Sequence, residues 1–449
     1  MRRSNAEILQ NFQGMVQCKT VSGAELAKIN FNEFYRLHRY LEQTYPLIHQ
    51  NLTREVIGKA SLLFHWQGDG TSEVLPIALM AHLDVVPVGD LAKWQHDPFS
   101  GDILDGYIWG RGTGDTKCQI VAQMEAIEEL LRQGYKPPYD IYLCYGHNEE
   151  IVADGDVSGA QQIVTLLKDH GVVLGCVIDE GGTVVDGKML GVVSRIAVIG
   201  VAEKGSVHVE LSVSDIGGHS STPKASTALG RVARAAVAVE EHPMPARLLP
   251  LVEETLRILA PEMGKLAPVL SDAAANWPLL QQYLQQSPTT NAMIRTTMAV
   301  TMAQGSAQAN ILPERASMTV NCRLLPGDTM DTLIDYLKSI VDPEVEVKVL
   351  SGKNPSPVSP TDTAPMRLMR QLITEQFPNT LITPYLVMGG TDSGKYYPIC
   401  DNVYRFAPFY FDAETIPTMH SVNERMLSSG FDKAVTFYRE FIEQYPNQS

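Results

Sequence analysis

The sequence predicts an α/β protein in which a layered sheet-and-helix domain is interrupted by a smaller α+β insert. Three observations carry this. Apolar strand-like runs alternate with helix-period segments through the first part of the chain, the pattern of a sheet covered by helices. At "SVHVELSVSD" the pattern switches to strict apolar/polar alternation, as in a strand with one wet face. A Pro-, Ser- and Thr-rich stretch, "GKNPSPVSPTDTAP", then leads back to segments of the first kind. The expected domains are residues 1–198 and 356–449 for the layered part and 199–355 for the insert.

The elements follow in order. Helices are expected near residues 5–17 and 31–44, then strands in "EVIGKASLLFHWQG" and "LPIALMAHLD". "CQIVAQMEAIEELLRQG" has helical spacing and stops at Gly134, "DIYLCYG" is a short apolar strand, "SGAQQIVTLLKDHG" is a helix ending at Gly171, and "VLGCVIDEGG" is a strand. In the insert a helix is expected from about Ser226 to Glu240. "NAMIRTTMAVTMAQG" and "ASMTVNCRLLPGD" then read as strands, "TMDTLIDYLKSIV" as a helix and "EVEVKVLSG" as a strand. Residues 241–292 form an extra, largely helical segment whose placement the pattern leaves open. The return brings the helices "MRLMRQLITEQF" and "GFDKAVTFYREFIEQY".

Composition narrows the function. The chain has 449 residues, 44% hydrophobic and 19% charged, enough for two cored domains. A net charge of -15 without a long basic run excludes the usual nucleic-acid or anionic-membrane partner. Six scattered cysteines without a C-x-x-C pair fit reduced thiols rather than a disulfide frame or thiolate zinc site. With no apolar run of signal-peptide or membrane-span length, a cytoplasmic location is expected.

One loop invites a nucleotide. "GGTDSGKYY", residues 389–397, nearly spells a phosphate loop, but Tyr396 stands where a short hydroxyl must reach Mg²⁺, and Pro398 and an extended "NVYRFAPF" follow. A cradle for a carboxylate is the better reading, because glycines let backbone N–H groups approach an anion and Thr391 adds a donor.

The chemistry-bearing residues fall where strands end, which is where open α/β sheets bind ligands. His82 and Asp84 end "LPIALMAHLD"; Asp115 lies in "GRGTGDTK"; Glu149 and Glu150 follow "DIYLCYGHN"; Asp179 and Glu180 end "VLGCVIDEGG"; His420 lies in "PTMHSVNE". Singly, each is an ordinary cap or loop residue. Together, two histidines and several carboxylates without thiolates suit zinc or a similar divalent ion. The adjacent Glu149 and Glu150 repel unless a cation or proton divides their roles, leaving one to bind metal and one to act as a base.

These stretches resemble the M20 metallopeptidases, which include aminoacylases, carboxypeptidases and desuccinylases. The blocks "HLDVVPVGD", "WQHDPFSGDILDGYIWGRGTGDTK", "GHNEE", "IDEGG", "EKGSVHVELSVSDIGGHSSTP", "QANILPERASMTVNCRLLPG", "MGGTDSGKYYP" and "MHSVNER" stand in that family's order. The insert length and "NAMIRTTMAV" look most like the carboxypeptidase S branch, which acts on blocked dipeptides or N-acyl amino acids. The resemblance implies a zinc-peptidase-like α/β/α catalytic domain with a ferredoxin-like lid or dimerisation insert, a homodimer, and two divalent metal ions, zinc first, with manganese or cobalt also suited. It implies His82 and Asp179 as ligands of one metal, Glu150 and His420 of the other, and Asp115 bridging both. Asp84 would orient His82, and Glu149 would be the general base. It further implies that His219 polarises the scissile carbonyl from a partner subunit, and that Asn310, Arg323, Gly390 and Thr391 hold the substrate's carboxylate. Arg323 suits this through paired hydrogen bonds.

The chain departs from the family pattern at Thr116, where another acid is usual, at Cys118, where glycine is common, and at Asn148, where Asp precedes the paired glutamates. Asn148 leaves Glu149 one neighbouring charge fewer, which lowers its proton affinity. Two other readings compete: a dedicated deacylase for one small N-acylated metabolite, and an inactive binding protein on the same fold. The latter would have lost a ligand or the base, and every one is present.

Overall fold

The computed structural model describes residues 2–447. Contacts divide them into two compact units, one running to Val201 and including Ser359–Tyr385 and the chain from Thr391, the other Ala202–Val358 with Leu386–Gly390.

A ten-stranded mixed sheet forms the frame of the first unit. At its centre Ile141–Gly146, Ile77–His82, Cys176–Asp179 and Val403–Arg405 lie side by side and parallel. Every residue of these four strands is buried, as parallel strands covered on both faces must be. Side chains alternate across the strands: Ala78 and Met80 join Ile163, Val164 and Leu167 of the helix Gly159–Asp169 in one apolar cluster. The helix Cys118–Arg132 packs with Phe431–Gln444 and Asn5–Val16. "EVIGKASLLFHWQG" resolves into a hairpin, Thr53–Ile57 with Ser61–Trp66. All six cysteines are unpaired and buried, Cys400 being the most exposed at 4%.

The second unit has the β-α-β-β-α-β order of a ferredoxin-like module. Its four strands are wholly antiparallel, in the order Thr297–Gln304, Arg315–Leu324, Gly205–Ser214, Glu346–Lys353. Val207, Val209, Leu211 and Val213 face Val232, Ala235 and Val239 of the helix Ala228–Glu241 and Leu333 and Leu337 of Met330–Ile340. The extra segment leaves this module between its first helix and second strand as a run of short helices, several begun by proline at the first turn. Its return is anchored by Lys204, 1% exposed, whose Nζ donates to the carbonyls of Ala292 and Arg295 at 2.9 Å each. Arg247 pairs with Asp328 at 2.7 Å. "NAMIRTTMAVTMAQG" is therefore not one strand: Pro288–Ile294 is helical and the strand begins at Thr297.

Candidate metal centre and active site

Three parallel strands bring His82, at the end of one, and the turns that follow Gly146 and Asp179, at the ends of the other two, to one place. His82 closes its strand with 1% exposure, and its Nδ1 lies 3.0 Å from the main-chain carbonyl of Asp84. Nδ1–H thus donates to that carbonyl, and Nε2 is left facing Asp115 Oδ1 at 2.9 Å and Glu180 Oε1 at 3.3 Å. His420, a positive-φ residue on the loop after Ile416–Thr418, brings Nε2 to within 2.9 Å of Asp115 Oδ2 and 3.1 Å of Glu150. Each oxygen of Asp115 serves a different imidazole, which is what a bridging carboxylate requires.

The donor atoms fall into two groups, His82–Asp115–Glu180 and Asp115–Glu150–His420, with all atoms in each within 4.8 Å of one another. The chemistry of these groups fits two divalent ions. Both offer imidazole nitrogen and carboxylate oxygen without a thiolate. Burial and the neighbouring carboxylates push Glu180 well up from its usual range and raise Glu150 as well, while His82 opposes both shifts and His420 opposes that of Glu150. Burial disfavours the imidazolium of His82, yet Glu180, Asp115 and Asp84 outweigh it and raise its pKa. Hydrogen bonds to Asp115 and Glu150 lift His420 to about 10.

The expected ligand Asp179 lies in neither donor group. Asp179, the last residue of its strand, directs its carboxylate to the Ser393 N–H at 2.9 Å, and Glu180 is the acid brought to His82. The reason is the strand's period of two: consecutive residues leave on opposite sides, so only one of this pair reaches the donor group. Asp84 also has a different emphasis. Its carboxylate lies 3.5 Å from His82 Nδ1, while its two oxygens accept the main-chain N–H groups of Glu149 and Glu150 at 3.0 and 3.1 Å. Glu149 is thereby fixed beside, and outside, the two donor groups. Burial raises its pKa strongly; His82 opposes this, and Glu180, Asp392 and Asp115 add to it.

Glu424 is a residue the sequence reading missed. It is 1% exposed, and its Oε1 accepts from the N–H groups of Gly112 and Gly114 at 3.0 Å each, while Oε2 lies 2.5 Å from Arg111. It stitches the Asp115 loop to the His420 loop. Gly112 has φ of +84°, and a Cβ there would lie 2.5 Å from Val85, so the loop closes only around glycine. The available signal was the arginine in "GRGTGD", which needs an anion once its loop is buried.

His219, Asn310, Arg323 and Gly390 belong to the second unit. His219 is exposed on a two-residue strand paired with Ile311–Leu312, with Nδ1 2.8 Å from Ser221 Oγ. The Asn310 carbonyl accepts the Ser220 N–H at 3.0 Å, so Asn310 shares this small ribbon with His219. Arg323 is half-buried opposite Ser206 and Thr297. At Gly390 a Cβ would lie 2.5 Å from Lys353 Nζ. Thr391, buried, caps the short turn Asp392–Lys395, and Lys395 is paired with Asp392 at 2.6 Å. Tyr396 is fully buried, and no helix follows to receive a phosphate.

The sequence matches the family described as Peptidase family M20/M25/M40 over residues 78–444. It is 36% identical over 439 residues to the human N-fatty-acyl-amino acid synthase/hydrolase PM20D1, covering 96% of this chain and 86% of that protein. It is 31% identical over 494 residues to carboxypeptidase S of Saccharomyces cerevisiae, covering 98% and 84%. Its fold matches the crystal structure of the M20 family metallo-carboxypeptidase Sso-CP2 from Sulfolobus solfataricus with a TM-score of 0.69 at 17% identity, over 100% of both chains.

Proposed function

The chain belongs to peptidase family M20/M25/M40 and is a metal-dependent hydrolase; from that premise we propose that it uses two ions to cleave the amide next to a free carboxylate in dipeptides or N-acyl amino acids. The observation that carries this is the pair of donor groups sharing Asp115, with Glu149 held beside them on the Asp84 clamp. His82, Asp115 and Glu180 would hold one ion and Asp115, Glu150 and His420 the other. Bound there, the ions supply Lewis acidity that lowers the pKa of a water and stabilises negative charge developing on the amide oxygen.

The chain's own residues do the rest. Glu149 takes the proton of the attacking water and passes it to the leaving amine; burial raises its pKa, the direction that favours a carboxylate holding a proton between the two transfers. Arg323, Asn310 and the Gly390–Thr391 loop are proposed to hold the carboxylate, and His219 to polarise the carbonyl from a partner subunit of a homodimer. Zinc suits the nitrogen-and-oxygen donors, with manganese and cobalt as substitutes. Six buried, unpaired cysteines support a reducing, cytoplasmic setting. Among the described residues no helix is long and apolar enough to cross a membrane.

Relatives of both kinds, an N-fatty-acyl-amino acid synthase/hydrolase and a carboxypeptidase, align over nearly the whole chain, so the acyl group is the open variable. The test is a panel of N-acyl amino acids and dipeptides, offered to metal-stripped protein and to protein reloaded with Zn²⁺, Mn²⁺ or Co²⁺. Cleavage is expected only after reloading, and amidation of the substrate's carboxylate should abolish it. Equal rates on amidated substrates would remove Arg323 and the loop from the reading.

A further inference from the structure

Behind the Glu149–Glu150 turn lies a buried polar chain that the proposed reaction does not use. Ser61 Oγ is 2.6 Å from His147 Nδ1, and it also accepts the His147 N–H at 3.1 Å. His147 Nε2 lies 3.3 Å from Asp156 Oδ2. Asn148 Nδ2 donates to the same oxygen at 3.1 Å and to the Val157 carbonyl at 3.2 Å, while Asn148 Oδ1 accepts the Gly159 N–H at 2.8 Å. Ser61, His147 and Asn148 are at most 2% exposed. The packing leaves no slack: a Cβ on Gly159 would lie 1.9 Å from Ser61 Oγ and 2.7 Å from His147 Nδ1. Phe31 and Phe34 close the other side of the imidazole, with ring centroids 6.2 and 6.4 Å away.

Donor counting fixes the direction of this chain. A carboxylate only accepts, so His147 Nε2 carries the proton toward Asp156, and Nδ1 accepts from the Ser61 hydroxyl. At position 148 an amide is required: an aspartate there would place a second carboxylate about 3 Å from Asp156 in a buried site, a repulsion that one of the two must relieve by moving or taking a proton.

We infer that Ser61, His147, Asn148 and Asp156 form a positioning network that sets the Glu149–Glu150 turn against Asp84. Asn148, which departs from the usual acid before the paired glutamates, is the amide that network demands. The turn is thus held from two sides, by Asp84 on its own N–H groups and by Asn148 and His147 on the residues just before it. None of the four touches a proposed reacting atom.

The test uses the full-length protein with N148D, D156N, the exchanged pair N148D/D156N, and G159A. Amide hydrogen exchange of the segment 146–152 reads the turn directly, metal-free and metal-loaded, and does not depend on turnover. Only the kinetic arm rests on the proposed hydrolase. N148D should speed exchange of this segment at least about tenfold and lower kcat by about tenfold or more with KM little changed, as a misplaced base does. The exchanged pair should recover part of both losses, because the amide now at position 156 can donate to the carboxylate now at position 148 while His147 turns its proton to Ser61. G159A should repeat the N148D signature, although alanine is otherwise the better helix residue. Unchanged exchange in N148D and G159A, or an exchanged pair as poor as the sum of its singles, would overturn the inference. Should N148D fail to fold, G159A and D156N decide it by the same readouts. If the wild type turns over nothing, the exchange data still decide the positioning role, and the hydrolase reading alone falls.

Discussion

Asp179 and Glu180 show how much can hang on one residue. Consecutive acids at a strand end leave on opposite sides, and here Glu180 meets His82 while Asp179 takes the Ser393 N–H. Glu180→Gln should therefore lower the bound metal by about one ion per chain after dialysis, whereas Asp179→Asn should keep the metal and loosen the 391–393 loop. Metal analysis of the two variants separates them; the reverse result would restore Asp179 as the ligand. Glu149→Gln should retain both ions and lose about 10²–10⁴ in kcat, the usual worth of a positioned base. Near-normal turnover in that variant would end its candidacy. The residues were legible in sequence as types at strand ends, since His82, Asp115, Glu150 and His420 do converge. What stayed illegible is which of two neighbours points inward, because that depends on where the strand stops and not on composition.

At the scale of elements, the site is an agreement among loops from distant parts of the chain. Glu424 joins the Asp115 loop to the His420 loop through the backbone N–H groups of Gly112, Gly114 and Asp115 and through Arg111, the side chains of Glu424 and Arg111 being almost fully buried. Glu424→Ala leaves Arg111 buried without its partner, a change that costs about 3–5 kcal/mol in comparable sites. Denaturant unfolding should show that loss, and metal affinity should fall with it. A stable variant with normal metal content would mean that the two loops hold their places independently. Helices and strands with clear periodicity were readable: Asn5–Val16, Phe31–Thr44 and Phe431–Gln444 lie where the spacing puts them. The strand expected from Asn291 was not, because a proline-started helix occupies its first residues and Lys204, far away in sequence, holds the carbonyls of Ala292 and Arg295 at that helix's end.

For the whole molecule, the concentration of buried carboxylates makes metal part of the folding balance. Glu149, Glu150, Asp115 and Glu180 share one end of the sheet with two imidazoles, and burial raises three of these acids. Ions that bind only the folded chain stabilise it by mass action, about 2.7 kcal/mol at one hundred times the dissociation constant. Chelation should lower the melting temperature, and zinc should restore it in a concentration-dependent way. A melting temperature indifferent to chelator, in protein shown by analysis to have lost its metal, would count against the two donor groups as binding sites. The layered sheet was visible from its alternation of strands and helices. The short return of Leu386–Gly390 to the second unit was not, since nothing in those five residues marks a change of neighbours.

The buried thiols have a practical side. Because no native cysteine is more than 4% exposed, a maleimide dye or spin label should react with an introduced surface cysteine and leave the six natural ones alone. Val193 and Ile216, 87% and 79% exposed, offer one attachment point on each unit. Spectroscopic distance measurements could then be made on the native background, without first engineering a cysteine-free parent.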